Sequence, residues 1–246
     1  MQINDTSKEY GGLNCRVIDA LAEGEEPSLL IVVCHGYGAP GTDLVPISYE
    51  VLHQFPHLSR HVQFICPAAP ISLGGFGPYE SRAWWELDIQ AVEEAISKGA
   101  FVDRSNILPE GLVKAREVVS SLLKDIAADT SIPMSRTVLS GFSQGSMVMT
   151  DAAFHAEVNP AALCIFSGTL LCQQEWSKEA ANRNGLKVLQ SHGKQDPLLS
   201  FDTAISLREL MENAGLDVNF IPFDGPHTIP EEAMSAFGEL IDQVSS

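Results

Sequence analysis

A single α/β domain built on a mostly parallel sheet is the fold class this sequence predicts, and three observations carry that expectation. Short apolar runs recur at 28–34, 62–66, 137–139, 161–166, 186–190 and 218–223, separated by segments of helical spacing. The run at 29–34 is apolar at every position, as in a strand covered on both faces. Strands alternating with helices imply a parallel sheet with helices on both sides. The 246 residues, 45% hydrophobic, can fill one sizeable core, and no repeat, low-complexity tract or linker divides them. One domain over residues 1–246 is expected, with 1–12 peripheral or disordered.

In chain order, 13–20 reads as a leading strand, set off from 28–34 by Pro27 and the short acidic turn Glu23-Gly24-Glu25-Glu26. The glycine-rich loop His35-Gly36-Tyr37-Gly38-Ala39-Pro40-Gly41 follows, then a helix over 44–55. The strand at 62–66 closes at Pro67-Ala68-Ala69-Pro70. Residues 71–85, rich in glycine and aromatics, read as a long loop, and such loops are often functional. Helices are expected over 90–98 and 109–129, the latter with Pro109 suited to a first turn. The strand entering at 137–139 turns at Gly141-Phe142-Ser143-Gln144-Gly145 into a helix. After the strand at 161–166, 168–184 reads as polar and irregular. The strand at 186–190 ends at Ser191-His192-Gly193. A helix over 202–213 stops at Gly215 as its C-cap, and the strand at 218–223 precedes a last helix over 231–244.

Composition excludes several classes. Thirty-two acidic side chains against 15 basic leave a formal charge of −17, which argues against nucleic acid and against adsorption on anionic bilayers. The five cysteines include no Cys-x-x-Cys, and Cys34, Cys66 and Cys164 sit in apolar runs where packing is their role. No metal-ligand spacing is evident, so neither a metal nor a cofactor is expected. The N-terminus has neither a basic region nor an apolar segment, and the longest clean apolar run, 29–34, is far too short to span a bilayer. A soluble, cytoplasmic protein is the expectation.

The chemistry is carried by Gly141-Phe142-Ser143-Gln144-Gly145. Gly-x-Ser-x-Gly between a strand and a helix is what a nucleophile elbow needs: a serine on a strained turn with its hydroxyl exposed, above a helix start whose free N–H groups can stabilise an oxyanion. A serine hydroxyl is a weak nucleophile and needs a neighbouring base. In this architecture the partners follow in the order serine, acid, histidine, on loops at the carboxyl ends of strands. Asp196 and His227 stand where that rule asks. His227 would deprotonate Ser143, Asp196 would orient the imidazole, and main-chain N–H groups of Gln144 and of the loop after His35 would receive the oxyanion. The rivals have plainer roles. Asp202 reads as a helix N-cap and Asp224 as a turn residue. His35 and His192 brace loops; His53, His57, His61 and His155 fall on helices or their flanks.

From about residue 28 to the C-terminus the chain resembles the phospholipase/carboxylesterase family of α/β-hydrolases, which includes acyl-protein thioesterases. The resemblance rests on His35-Gly36-Tyr37-Gly38, Pro67-Ala68-Ala69-Pro70, Arg82-Ala83-Trp84-Trp85, the elbow, His192-Gly193 with Asp196-Pro197, and His227. It implies Ser143, Asp196 and His227 as a triad and the main-chain N–H groups of Tyr37 and Gln144 as the oxyanion hole. Four positions depart from the family's pattern: Tyr37 for Leu, Ser146 for Gly, Lys194 for Asp and Ser200 for Pro. Tyr37 would act through its main-chain N–H, Ser146 is small enough for close helix packing, and neither Lys194 nor Ser200 touches the proton path.

Phe76, Arg82, Trp84 and Trp85 are the candidate substrate-binding residues, with the 71–85 segment as acyl-binding wall. The two tryptophans could equally be core, one lining the site while the other packs inward. Arg82 could instead pair with Glu86 or Asp88. The expected activity is hydrolysis of small-molecule carboxylic esters of short to medium acyl chain. A thioesterase or lysophospholipase acting on long chains is the alternative. A non-catalytic binding protein is disfavoured because no triad member is missing.

Overall fold

The computed structural model describes residues 2–245 except 99 and 102. The chain opens with a hairpin of β1 (Asn4–Tyr10) and β2 (Leu13–Asp19), turned by Gly11 and Gly12 at φ +58° and +74°. Positive φ at both central residues gives the loop the twist that joins antiparallel strands tightly. Of residues 1–12, read as peripheral or disordered, 4–10 form the edge strand β1. Six of its seven residues are exposed at the sheet edge, so it carries no apolar pattern, and only Tyr10 is buried. The Gly-Gly pair was the readable signal.

β3 (Leu29–Cys34) is buried throughout. Leu29, Ile31 and Val33 join one core while Leu30, Val32 and Cys34 join the other, as the two-residue period requires. The chain then forms α1 (Val45–Gln54), β4 (Val62–Pro67), a small hairpin of β5 (Ile71–Gly74) and β6 (Ser81–Ala83), α2 (Ile89–Ser97) and α3 (Leu112–Thr130). β7 (Thr137–Phe142), α4 (Gln144–Phe154), β8 (Ala162–Phe166), α5 (Gln173–Ala180), β9 (Lys187–Gly193), α6 (Phe201–Asn213), β10 (Asp217–Phe223) and α7 (Glu231–Ser245) complete it. The order across the main sheet is β1-β2-β4-β3-β7-β8-β9-β10. Every pairing from β4 to β10 is parallel, and β1 and β2 run antiparallel at one edge. α1 and α7 cover one face; α3, α4, α5 and α6 cover the other. The mostly parallel single-domain expectation is borne out. Among the described residues no helix is long and apolar enough to cross a membrane.

Three local expectations are corrected. The 71–85 loop is largely the β5–β6 hairpin, paired through Ile71–Ala83 and Ser72–Arg82. The irregular 168–184 segment contains α5, whose apolar anchor is the fully buried Trp176, too little to show a helical period. Asp202 does not cap α6; the Ser200 hydroxyl accepts from the Asp202 N–H and is itself the N-cap.

From β3 the chain crosses to β4 on one side and later returns to β7 on the other. A crevice therefore opens outside the carboxyl ends of β3 and β7, where α/β sheets place their ligands. The helix leaving β7 is anchored at its far end. Asp151 on α4 is fully buried; its Oδ1 accepts from Trp176 Nε1 at 2.8 Å, and its Oδ2 lies 3.4 Å from Arg116 Nη1. Burial pushes the Asp151 carboxyl above its ordinary pKa, against the opposing pull of Trp176, Arg116 and His155. Asp151→Ala would strand the indole N–H and leave Arg116 to Glu175 alone, and should lower stability by about 1–3 kcal/mol in urea denaturation. Asp151→Asn, which keeps an acceptor for Trp176, should cost less. An unchanged midpoint for the alanine variant would show that α4 does not depend on this anchor.

Candidate active site

Ser143 stands between β7 and α4 at φ 53°, ψ −122°, a conformation a non-glycine residue adopts only when its surroundings enforce it. The enforcement is on both sides. Its N–H donates to the Phe166 carbonyl at 2.9 Å, and its carbonyl accepts from Ser146 N at 3.0 Å. The two glycines of the motif are required by space. A Cβ on Gly141 would lie 2.4 Å from the Gly145 carbonyl carbon, and one on Gly145 would lie 2.1 Å from the Cys34 carbonyl oxygen at the end of β3. Ser146, where the family pattern has glycine, fits because residue 168 is itself glycine. A Cβ there would meet Ser146 Oγ at 2.4 Å.

The loop after β3 is held by a chain of hydrogen bonds. His35 Nε2 accepts from the Ala69 N–H at 3.0 Å, which leaves the proton on Nδ1, facing the Gly36 carbonyl at 2.8 Å. Burial lowers the pKa of this ring and keeps it neutral. Gln144 does more than offer its main chain. Its buried amide accepts from the Trp84 N–H at 2.9 Å and donates to the Trp85 carbonyl at 2.8 Å, tying the tryptophan pair to the start of α4. Sequence reasoning missed that clamp; the signal was a glutamine in the otherwise small and apolar start of the helix.

Asp196 and His227 come together because their loops are zipped. Lys194 N donates to the Phe223 carbonyl at 2.8 Å, and Gln195 N to the Gly225 carbonyl at 3.0 Å. A side chain on Gly193 could not fit, since its Cβ would lie 2.3 Å from the Gly225 oxygen. Asp224 pairs with Lys194 at 3.0 Å across the same two loops. His227 Nδ1 reaches Asp196 Oδ2 at 2.6 Å, and Asp196 Oδ1 accepts from the N–H groups of Leu198 at 2.8 Å and Leu199 at 3.0 Å. Burial alone would raise the Asp196 pKa, but the bond from His227 and these two N–H groups hold it below the ordinary value. The His227 ring packs on Phe142, centroids 4.7 Å apart.

Ser143, His227, Gly36, Tyr37 and Gln144 all line one cavity of about 700 Å³. Gln144 is the first residue of α4, so its main-chain N–H is among the donors a helix start leaves free. The sequence-named wall residues part company here. Trp85 lies in the cavity wall. Trp84, 1% exposed, is core beneath it and donates Nε1–H to the His35 carbonyl at 2.9 Å. Phe76 is 93% exposed beside the β5–β6 turn and outside the lining, because the hairpin carries it away from the crevice. Arg82 is outside the lining too. It pairs with Glu80 at 2.6 Å, not with Glu86 or Asp88, and its own main chain bonds Gly38 and Ala39, so it shapes the loop after β3. The apolar wall comes instead from Leu87, Ile89, Phe101, Ile107, Met147 and Leu171, a set largely from the segment between β6 and α3. Spacing could not find it, since these residues follow no helical or strand period.

Asp151, His155 and Glu175 have ligand atoms within 4.8 Å of one another on the far side of α4. The cation among them is Arg116, whose Nη1 lies 3.4 Å from Asp151 Oδ2 and 3.3 Å from Glu175 Oε1.

Burial lowers the pKa of His192 as it does that of His35. Below about pH 6.5 the unfolded chain protonates both rings while the folded chain does not, so stability is present above that pH and falls as pH drops. The expected slope is at most about 1.4 kcal/mol per pH unit for each ring, read from urea midpoints between about pH 7.5 and 5.5. A flat profile would show that the rings titrate freely in the folded state.

Residues 15–245 match the family described as Phospholipase/Carboxylesterase. The chain is 22% identical over 209 residues to Acyl-protein thioesterase 1 homolog 1 of Dictyostelium discoideum, across 83% of this chain and 86% of that one. It is 25% identical over 232 residues to Acyl-protein thioesterase 1 of Mycosarcoma maydis, across 91% of each. The crystal structure of esterase PE8 superposes with a TM-score of 0.77 at 22% identity, over 99% of this chain and 100% of that one, a likeness of fold. With nearly its whole length matched, and with the elbow, the acid loop and the histidine loop opening on one crevice, this chain belongs to the Phospholipase/Carboxylesterase family of α/β-hydrolases.

Proposed function

We propose that the chain is a cofactor-free serine hydrolase that cleaves carboxylic esters through an acyl-enzyme, with Ser143, Asp196 and His227 as its triad. The observation that carries this reading is the Asp196–His227 bond of 2.6 Å beside a cavity that also holds the strained Ser143. His227 takes the proton of Ser143 Oγ as that oxygen attacks the ester carbonyl carbon. The oxyanion is received by the main-chain N–H groups of Tyr37 and Gln144. His227 then protonates the leaving alcohol, and water, deprotonated by the same ring, releases the acid and restores Ser143. Asp196, ionised and held on both oxygens, fixes the tautomer and offsets the charge of the imidazolium.

Ser143→Ala should lower kcat for p-nitrophenyl butyrate by about 10⁵-fold, and Asp196→Asn by about 10⁴-fold. Equal rates for wild type and Ser143→Ala would reject the reading. A folded protein whose Ser143 ignores a fluorophosphonate would point to a binding protein instead.

The first reading favours short to medium acyl groups. The second, a thioesterase or lysophospholipase for long chains, is favoured by the volume of the cavity and its apolar walls, and by the names of the relatives. Each methylene buried against such walls contributes about 0.8 kcal/mol, about fourfold in kcat/KM, until the walls end. Along a series from acetate to palmitate, a maximum at or before octanoate supports the first reading. A rise continuing to palmitate, with cleavage of a palmitoyl thioester, supports the second. The cavity lining carries Asp43, Glu86, Glu93, Asp103 and Glu110 against Arg104, and with the net charge of −17 this supports small ester or thioester substrates over nucleic acid. The cysteines are free and buried, which supports a reducing, cytoplasmic setting.

A further inference from the structure

Asp196 has a second histidine beside it. His192, on β9, is fully buried, and its Nε2 lies 3.3 Å from Asp196 Oδ2, the oxygen that accepts from His227. The same nitrogen lies 3.0 Å from the Leu199 carbonyl. Both neighbours are acceptors and one is anionic, so the proton of the neutral ring belongs on Nε2. The Gly168 main chain also lies against the ring, but Nδ1 makes no hydrogen bond of ordinary geometry, so the two acceptors at Nε2 decide the tautomer. Asp196 and His227 are the charged or titratable groups that face the ring; from α6 it meets the apolar Phe201, centroids 6.2 Å apart.

We propose that His192 is a positioning residue for the reaction, sharing its Nε2–H between the Leu199 carbonyl and Asp196 Oδ2. The proposal rests on the triad reading above. It has two consequences that a space-filling histidine would lack. With Leu198 and Leu199 on Oδ1 and both imidazoles on Oδ2, the carboxylate cannot rotate away from His227. The second donor also offsets part of the negative charge of Asp196, so the proton balance of the Asp196–His227 pair, and with it the acid limb of the rate profile, depends on His192.

The test compares His192→Met, which keeps bulk and removes the donor, with His192→Gln, whose amide nitrogen stands as many bonds from Cβ as Nε2 does. Active sites are counted with a fluorophosphonate, so that misfolded protein does not enter the rate. For the methionine variant kcat should fall about 10–100-fold with KM within about threefold, the usual effect of losing an outer partner. The acid limb of its kcat/KM profile should move up by about half a pH unit. The glutamine variant should recover most of both. The proposal is overturned if the methionine variant loses thermal stability while kcat and the acid limb stay put, or if glutamine is no better than methionine. Should neither variant fold, nitrogen-15 spectra of the wild-type rings decide. An Nε2–H tautomer at His192 across about pH 5–8 is expected, and an Nδ1–H tautomer overturns the proposal. Full activity in Ser143→Ala would instead sink the triad reading itself, an outcome the His192 variants cannot mimic.

Discussion

The contact on which the rest depends is the crossing of α4 under the end of β3. Gly145 and the Cys34 carbonyl approach so closely that no side chain fits between them, and Gly141 meets Gly145 in the same way. That approach bends the chain at Ser143 into a conformation costing about 1–3 kcal/mol, held by the β-sheet on one side and the helix on the other. The strain lifts the serine side chain off the strand's plane and into the crevice. Because the elbow is tied to β8 through Phe166 and to the tryptophan pair through Gln144, the hydroxyl sits on rigid elements throughout.

The proposed partners of Ser143 are placed by a different device. Asp196 and His227 lie on separate loops, after β9 and after β10. Main-chain bonds from Lys194 and Gln195 to Phe223 and Gly225 join them, and the parallel pairing of β9 with β10 sets their register. The carboxylate accepts from three donors, the His227 ring and the N–H groups of Leu198 and Leu199, and these hold its pKa down although it is buried. Rigidity on the serine side and zipping on the Asp196 and His227 side bring Ser143 and the Asp196–His227 pair to one cavity.

The cavity wall follows another logic. The glycine- and aromatic-rich stretch near 71–85 invites assignment as the wall, yet its outer part folds as a hairpin that carries Phe76 to the surface and turns Arg82 back onto the loop after β3. The wall forms from Trp85 onward, where the chain crosses the crevice before entering α3. Ring composition alone cannot separate these outcomes, because an aromatic side chain is equally suited to core, surface turn and cavity.

Local patterns in the sequence determined the layer order, the elbow and the positions of Asp196 and His227. Period-two burial, glycine spacing and the residues that end strands are all written within a few consecutive positions. What such patterns could not carry was decided by contacts between distant segments. β1 is polar because it lies at an edge, α5 hangs on one tryptophan, Ser146 is tolerated because Gly168 faces it, and Arg82 turns onto the main chain of Gly38, Ala39 and Ala69. Each depends on which surface comes to lie opposite, and that is a property of the packed chain.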